Sequence, residues 1–357
     1  MRILYGVVGE GMGHATRSKV VLEHLVASGH QPKIVVSGRA HAFLTKHFAD
    51  TVEIKGLTIH YKDGAMDRDM SVLKNVVLSP SMLLENAKTY FTEVDAFAPD
   101  VVISDFESYS WLYGKHHGVP VISIDNQQII HKCDHDDDIV KGVRADFEAT
   151  RAFIKAKLPG CHHYFATTFF FPKVREKYAA VTTLVPPILR TPILAAPRVV
   201  GDHVLVYQTS LSDDTLVPTL QSLSEHRFIV YGLRRDAALG NVTLKDFSED
   251  GFIHDLATSK AVIANGGQSL INEAVYLGKP ILSIPVRHQF EQEMNARYVE
   301  KLGYGIGAPR MDPDVVRAFL RERDKFAANV AKHHQDGNQA LFTALDRMLA
   351  ELSARPK

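Results

Sequence analysis

The chain reads as an α/β protein built of two Rossmann-like halves facing across a cleft. Three observations predict this. The N-terminus runs strand, glycine-rich turn, helix and strand over residues 2–37, a βαβ start. A proline-rich stretch from Pro186-Pro187 to Pro197 interrupts the pattern, and a second βαβ series begins at His203. That series contains another strand, glycine turn, helix and strand over residues 261–284. The expected division is a first half over 1–186, a linker over 187–200, a second half over 201–335, and a final helix over 336–357 that packs back on the first half.

At 357 residues the chain is long enough for two cores. Lys+Arg and Asp+Glu both number 41, and a formal net charge of zero argues against general nucleic-acid binding. The two cysteines, Cys133 and Cys161, lack metal-finger spacing and suit a reducing cytoplasm better than a disulfide scaffold. The first apolar run is too short for a secretory signal, and none reaches membrane-spanning length. A cytoplasmic protein is expected, with peripheral contact at the inner membrane face left open.

Residues 2–8 make a buried-type strand. Gly9-Glu10-Gly11-Met12-Gly13-His14 follows, with a helix expected from about Ala15 to Ala27 and a strand over 33–37. The glycines are spaced G-x-G-x-G-H, not G-x-G-x-x-G, and no acidic residue closes the second strand. An NAD oxidoreductase is therefore disfavoured. Glu10, Gly11, Gly13 and His14 instead lie past the carboxyl end of a parallel strand, where ligands of open α/β sheets bind. The plainer role for His14 is packing at the helix start.

Residues 51–61 are expected as one strand and 66–95 as mostly helix, with Tyr90-Phe91 as core in preference to an exposed lipid-facing patch. Residues 100–104 form the next strand, ending at Asp105-Phe106-Glu107. A helix runs to about His117. A further strand over 119–124 ends at Asp125-Asn126-Gln127-Gln128. Both strands deliver polar residues to the sheet edge that carries His14. A carboxylate there would fix the tautomer of His14 and stabilise its protonated form. Asp105 is the candidate and Glu107 the reserve. Gln127 and Gln128 line the same edge, and Asp105 also suits a helix N-cap. Residues 131–138 are rich in His, Cys and Asp but nearly contiguous, without structural-zinc spacing. They read as a solvated acidic loop or helix start, with an acceptor-side binding loop as the functional alternative.

In the second half, strands are expected over 203–208, 228–231 and 242–247, with Thr209-Ser210 just past the first. Residues 261–264 are a buried-type strand, followed by Asn265, Gly266 and Gly267. Residues 269–277 have helical periodicity and end at Gly278 and Pro280. A glycine turn opening a helix presents free N–H groups and the positive dipole end to a phosphate. Gln268 and Ser269 add donors. Glu273 suits the vicinal hydroxyls of a ribose, and Glu291-Gln292, in a polar loop after the strand over 281–284, suit sugar hydroxyls. The alternative is that Gly266-Gly267 merely packs helix on strand. From Asp314 to about Leu352 the chain is charged and helical, with Leu341, Leu345, Met348, Leu349 and Leu352 as an apolar stripe.

Residues 266–296 resemble the donor-binding signature of the UDP-glycosyltransferase superfamily. They are also similar to the peptidoglycan N-acetylglucosaminyltransferase that completes the lipid-linked disaccharide. Gly266-Gly267, Glu273, Glu291-Gln292 and Asn295-Ala296 carry the likeness by their spacing. Asn265 stands where plant-type members have His, and Leu270 where a hydroxyl residue is expected. ISDFE, VPVISID and FEQEMNARYVEKLGYG resemble one group of prokaryotic glycosyltransferases, over most of the chain to Gly305.

The resemblance implies the GT-B fold. It implies that Gly266, Gly267, Gln268 and Ser269 hold a pyrophosphate, with Thr209 and Ser210 facing it. Glu273 would take the ribose, Glu291 and Gln292 the donor sugar, and Phe252 with the backbone of Ile253 the base. His14 matches a general base and Asp105 its partner. The implied reaction is inverting hexosyl transfer from a nucleotide-diphosphate sugar, UDP-sugar favoured, to an acceptor hydroxyl on a glycan, lipid-linked or small molecule. Cell-envelope glycans are common acceptors for such folds. No metal or other cofactor is expected. A nucleotide-sugar 2-epimerase of the same architecture and a non-catalytic nucleotide-sugar binder are the rivals.

Overall fold

The computed structural model describes residues 1–9, 11–55, 60–62, 65–67, 86, 90–208, 215–287, 289–333 and 335–354. The strands of the first half are β1 (Arg2–Val7), β2 (Gln31–Val36), β3 (Thr51–Glu53), β4 (His60–Lys62), β5 (Ala65–Asp67), β6 (Val101–Asp105), β7 (Val121–Asp125), β8 (His163–Thr167) and β9 (Thr182–Val185). Seven of them form one parallel sheet in the order β3-β2-β1-β6-β7-β8-β9. Its central strands β6 and β7 are buried along their length because both faces are covered, and each ends on an aspartate. Ile3, Tyr5 and Val7 enter one buried cluster, while Leu4 and Val8 enter another.

The expectation of a single strand over 51–61 is corrected. β3 joins the main sheet, whereas β4 pairs antiparallel with β5 in a separate two-stranded sheet. Met66 and Asp67 are therefore strand, not helix. The rest of the segment expected as helix, residues 68–85 and 87–89, and the side chains of Tyr90 and Phe91 lie outside the described residues.

The second half holds β10 (His203–Tyr207), β11 (Arg227–Tyr231), β12 (Ala237–Leu239), β13 (Val242–Lys245), β14 (Ala261–Ala264), β15 (Ile281–Ser283) and β16 (Gly305–Gly307). The sheet order is β12-β13-β11-β10-β14-β15-β16, parallel except for the β12–β13 hairpin. Each sheet reverses direction once. The chain leaves β1 towards β2 on one side and returns to β6 on the other. It does the same at β10 with β11 and β14. These reversals open a crevice beyond the strand ends, where ligands of doubly wound sheets bind.

The expected C-terminal helical run is three helices, Pro313–Arg321, Arg323–Val330 and Gln339–Ser353. Gly337 and Asn338, at φ 68° and 80°, turn the chain before the last of them. Leu341, Leu345, Leu349 and Leu352 then bury against Ile3, Leu25 and Val101 of the first half. Asn338 fixes the entry of this helix. Its amide donates to the Leu189 carbonyl at 2.9 Å and accepts from the Leu189 N–H at 2.8 Å. Both bonds are buried, so Asn338→Ala should cost about 1–3 kcal/mol, read as a shift in the urea midpoint.

The His/Cys/Asp stretch contacts the other half. Lys301, on the helix Phe290–Lys301, meets Asp136 at 2.5 Å and Asp138 at 2.9 Å. Arg297 of the same helix donates to the carbonyls of Ile139 and Lys141. His135 lies 2.8 Å from the Tyr298 hydroxyl, and Tyr298 stacks on Phe170. Cys133 is buried in the core. The expected helix start is there, at Asp137 with Asp136 as its cap and the acidic side chains exposed, and the stretch also clasps the other half.

Candidate active site

The first reversal point places a histidine–carboxylate pair. The helix after β1 spans Met12–Ala27, three residues earlier than expected, so His14 lies on its first turn. Gly11, at φ 86°, makes the turn into it. Asp105 ends β6, the strand beside β1. Its Oδ1 lies 2.8 Å from His14 Nδ1, and its side chain is 1% exposed. With Asp105 ionised, Nδ1 carries the proton and Nε2 keeps a lone pair. Gln127 Nε2 lies 3.3 Å from that nitrogen and donates to it.

Asp105 is not the helix cap that its position also allowed. Glu107 caps the next helix, accepting from the N–H groups of Tyr109 and Ser110 at 2.6 and 2.7 Å. That engagement removes Glu107 as the reserve partner of His14. Asp105 instead collects donors. Arg17 Nε reaches its Oδ2 at 2.8 Å, a second Arg17 nitrogen reaches Oδ1, and Ser18 Oγ donates at 2.9 Å. Burial alone would raise the pKa of Asp105. The charges and hydrogen bonds of Arg17 and His14 outweigh it and hold the carboxyl well below the usual range.

The second reversal point places the helix Gln268–Tyr276 after β14. Its two glycines serve different ends. A Cβ on Gly266 would press into the Gln292 backbone carbonyl, whereas a Cβ on Gly267 would meet nothing within 4 Å. Neither has positive φ, so the tight-turn reading of the pair is corrected. Gly266 permits close packing, and Gly267 leaves the helix N-terminus open to a ligand. Gly266→Ala should therefore destabilise the protein by about 1–3 kcal/mol, while Gly267→Ala leaves the melting temperature nearly unchanged. Thermal melts of the two variants check this.

The remaining candidates are placed as follows. Gln268 donates to the Thr167 carbonyl of the first half at 2.8 Å. Gly13 abuts Ser269, because a Cβ on Gly13 would strike the Ser269 hydroxyl. Glu273 is held by the Arg190 guanidinium, at 2.8 and 2.9 Å to its two oxygens. Arg190 also reaches Glu249 at 2.7 Å. Burial pushes the pKa of Glu273 up, against the pull of Arg190. Asn265 donates to the Ile284 carbonyl. Glu291 and Gln292 are not in a loop but on the first turn of the helix Phe290–Lys301. Glu291 Oε1 accepts from Asn126 Nδ2 at 2.6 Å, and Gln292 Oε1 accepts from the Val286 N–H. Gln128 is buried, and its N–H donates to Asp125.

Ile253 lies mid-helix in Glu249–Thr258. Its backbone groups are committed to the helix ladder, which corrects the expectation that they would read a base edge. Phe252 packs edge-on against Tyr207 and Tyr231. Glu10, Thr209 and Ser210 lie outside the described residues.

Four participants escaped the sequence reading. Arg17 and Ser18 sit one turn after His14 on the same helix face, a spacing that could have flagged them. Asn126 reaches across to Glu291, and Arg190 comes from the proline-rich segment. A narrow pocket lined by Gly13, Arg17, Arg190, Gln268, Asn272 and Glu273 lies between the halves. Asn272 Oδ1 is buried there without a hydrogen-bond partner.

A family model described as glycosyl transferase family 1 matches residues 1–323. An "uncharacterized glycosyltransferase" of Methanosarcina mazei is 28% identical over 393 residues, covering 97% of this chain and 98% of its own. Among solved structures, a calicheamicin glycosyltransferase superposes with a TM-score of 0.69 at 17% identity, with 100% of both chains covered. A Phytolacca americana protein complexed with UDP-2fluoro-glucose and pterostilbene gives 0.68 at 13% identity, covering 99% of both chains. The two-sheet arrangement is the GT-B fold. Among the described residues no helix is long and apolar enough to cross a membrane.

Proposed function

The chain belongs to glycosyl transferase family 1, and from that premise we propose that it moves a sugar from a nucleotide-diphosphate sugar to an acceptor hydroxyl. The observation that carries this reading is the pairing of His14 with Asp105 in one half, opposite an open glycine and helix N-terminus in the other. Asp105 holds Nδ1–H, so the Nε2 lone pair takes the acceptor's hydroxyl proton once the acceptor displaces the Gln127 amide from it. The acceptor oxygen attacks the anomeric carbon as the bond to the diphosphate breaks. The proton ends on His14, and the charge of the leaving nucleoside diphosphate falls at the N-terminus of the helix Gln268–Tyr276. Attack opposite the leaving group inverts the anomeric centre. These steps use side chains and a helix terminus alone, with no metal.

We assign the ribose hydroxyls to Glu273, which would share them with Arg190, and the sugar to Glu291 with Gln292. UDP-sugars are the favoured donors, by likeness to the Phytolacca protein's ligand. We assign the acceptor to residues 1–186, the donor to 201–335, the hinge to 187–200 and a buttress to 336–357. Glycans, lipid-linked or small molecules are the acceptor classes, cell-envelope glycans among them, with the protein working in the cytoplasm or at the inner membrane face.

Purified protein incubated with UDP-, GDP- and TDP-sugars and an acceptor panel tests this by proton NMR of the anomeric signals. Acceptor-dependent nucleotide release with an inverted product is expected. Epimerised donor without acceptor would instead make the protein a 2-epimerase, and binding without turnover would make it a sensor.

A further inference from the structure

Arg17 touches three groups of this cleft, Asp105, Asn126 and His14. His14, Arg17 and Ser18 share one face of the helix Met12–Ala27. The guanidinium bonds both oxygens of Asp105 and the side-chain oxygen of Asn126, and lies 2.6 Å from His14 Nδ1. Asn126 is itself buried, and its Nδ2 donates to Glu291 Oε1 of the second half. An unbroken series of side chains thus runs from Glu291 through Asn126, Arg17 and Asp105 to His14.

A carboxylate as buried as Asp105 needs a compensating cation to stay ionised. Without the ionised form, nothing holds Nδ1–H and orients Nε2. Arg17 supplies that cation in a planar fork that a lysine cannot reproduce. The far arm of the fork is fixed by Asn126, whose other hydrogen bond exists only while the halves are together.

We propose that Arg17 is a positioning residue that completes the His14–Asp105 pair only when the cleft is closed, sensing closure through Asn126 and Glu291. This rests on the reading of His14 as base and Glu291 as a donor-sugar contact. Donor held by Glu291 would draw the halves together, seat Asn126, lock Arg17 against Asp105 and so ready His14. Water entering an open cleft would meet an unoriented imidazole, which limits wasteful hydrolysis of the donor.

Arg17→Ala would strand a buried carboxylate, so the informative variants are Arg17→Lys, Asn126→Ala and their combination. The readouts are kcat, the donor dissociation constant from titration, and the proton NMR signal of His14 Nδ1–H in histidine-labelled full-length protein. Each single variant should lower kcat at least tenfold with donor affinity held within about twofold. The double variant should lose much less than the product of the two. The Nδ1–H signal should shift or exchange faster in Arg17→Lys.

Unchanged kcat in both folded variants, multiplicative losses, or losses confined to donor affinity would overturn the proposal. If the wild-type protein turns over no nucleotide sugar, the functional reading fails by itself. The His14 signal then decides the positioning role alone, since an Nδ1–H signal unaltered by Arg17→Lys refutes it.

Discussion

Replacing His14 with alanine should lower sugar transfer by about 10²–10⁴-fold, the usual worth of a positioned general base. The residue lies on the first turn of its helix, with its ring joined to Asp105 and Gln127. Among the described residues none of its hydrogen bonds is to the helix Gln268–Tyr276, so donor affinity should be retained. Steady-state kinetics with a nucleotide-sugar titration separate the two. A loss carried by donor binding would move His14 from chemistry to donor recognition.

Asp105→Asn should cost both stability and activity. The side chain is almost wholly buried and bonded to Arg17, His14 and Ser18. Removing one partner of a buried pair leaves the other charge uncompensated, at about 3–5 kcal/mol. The pH dependence has a definite sign. Arg17 and His14 depress the carboxyl's pKa in the folded state. Its contribution is therefore complete above the unfolded value, about 3.9, and is lost progressively as pH falls from there through the folded value. Urea melts should show a constant gap between wild type and variant from about pH 5 to 8. The gap should narrow below about pH 4. A gap that closed near neutrality would contradict the assignment.

Much of this site was legible because its parts sit where strands end. The glycines around His14, Asp105 at the end of DVVIS, and Gly266-Gly267 all follow apolar runs of parallel-strand type. Strand ends in such sheets converge on the reversal points. What the sequence hid are partnerships between distant positions. Arg17 lies 88 residues from Asp105, and Asn126 lies 165 from Glu291. No periodicity relates them. Arg190 was hidden because a proline-rich segment reads as a linker, yet it carries the cation that holds Glu273. The contacts of residues 131–138 were hidden for a related reason. Asp136 and Asp138 find Lys301 of the other half, and His135 finds Tyr298. Local composition cannot tell a ligand set from one side of an interface. Met66 was misread, and the Ala237–Leu239 strand went unread, because segments of three residues are too short to show a period.

The most direct test of the donor reading is a thermal-shift titration with UDP, GDP, TDP and their sugars, on the wild type and Gly267→Val. No atom lies within 4 Å of a Cβ at Gly267, so the variant should fold normally while obstructing the helix N-terminus. A nucleotide at a hundred times its dissociation constant should stabilise the wild type by about 2.7 kcal/mol. At least one nucleotide should raise the wild-type melting temperature, and Gly267→Val should abolish the rise. An equal rise in both proteins, or none with any nucleotide, would contradict the donor reading.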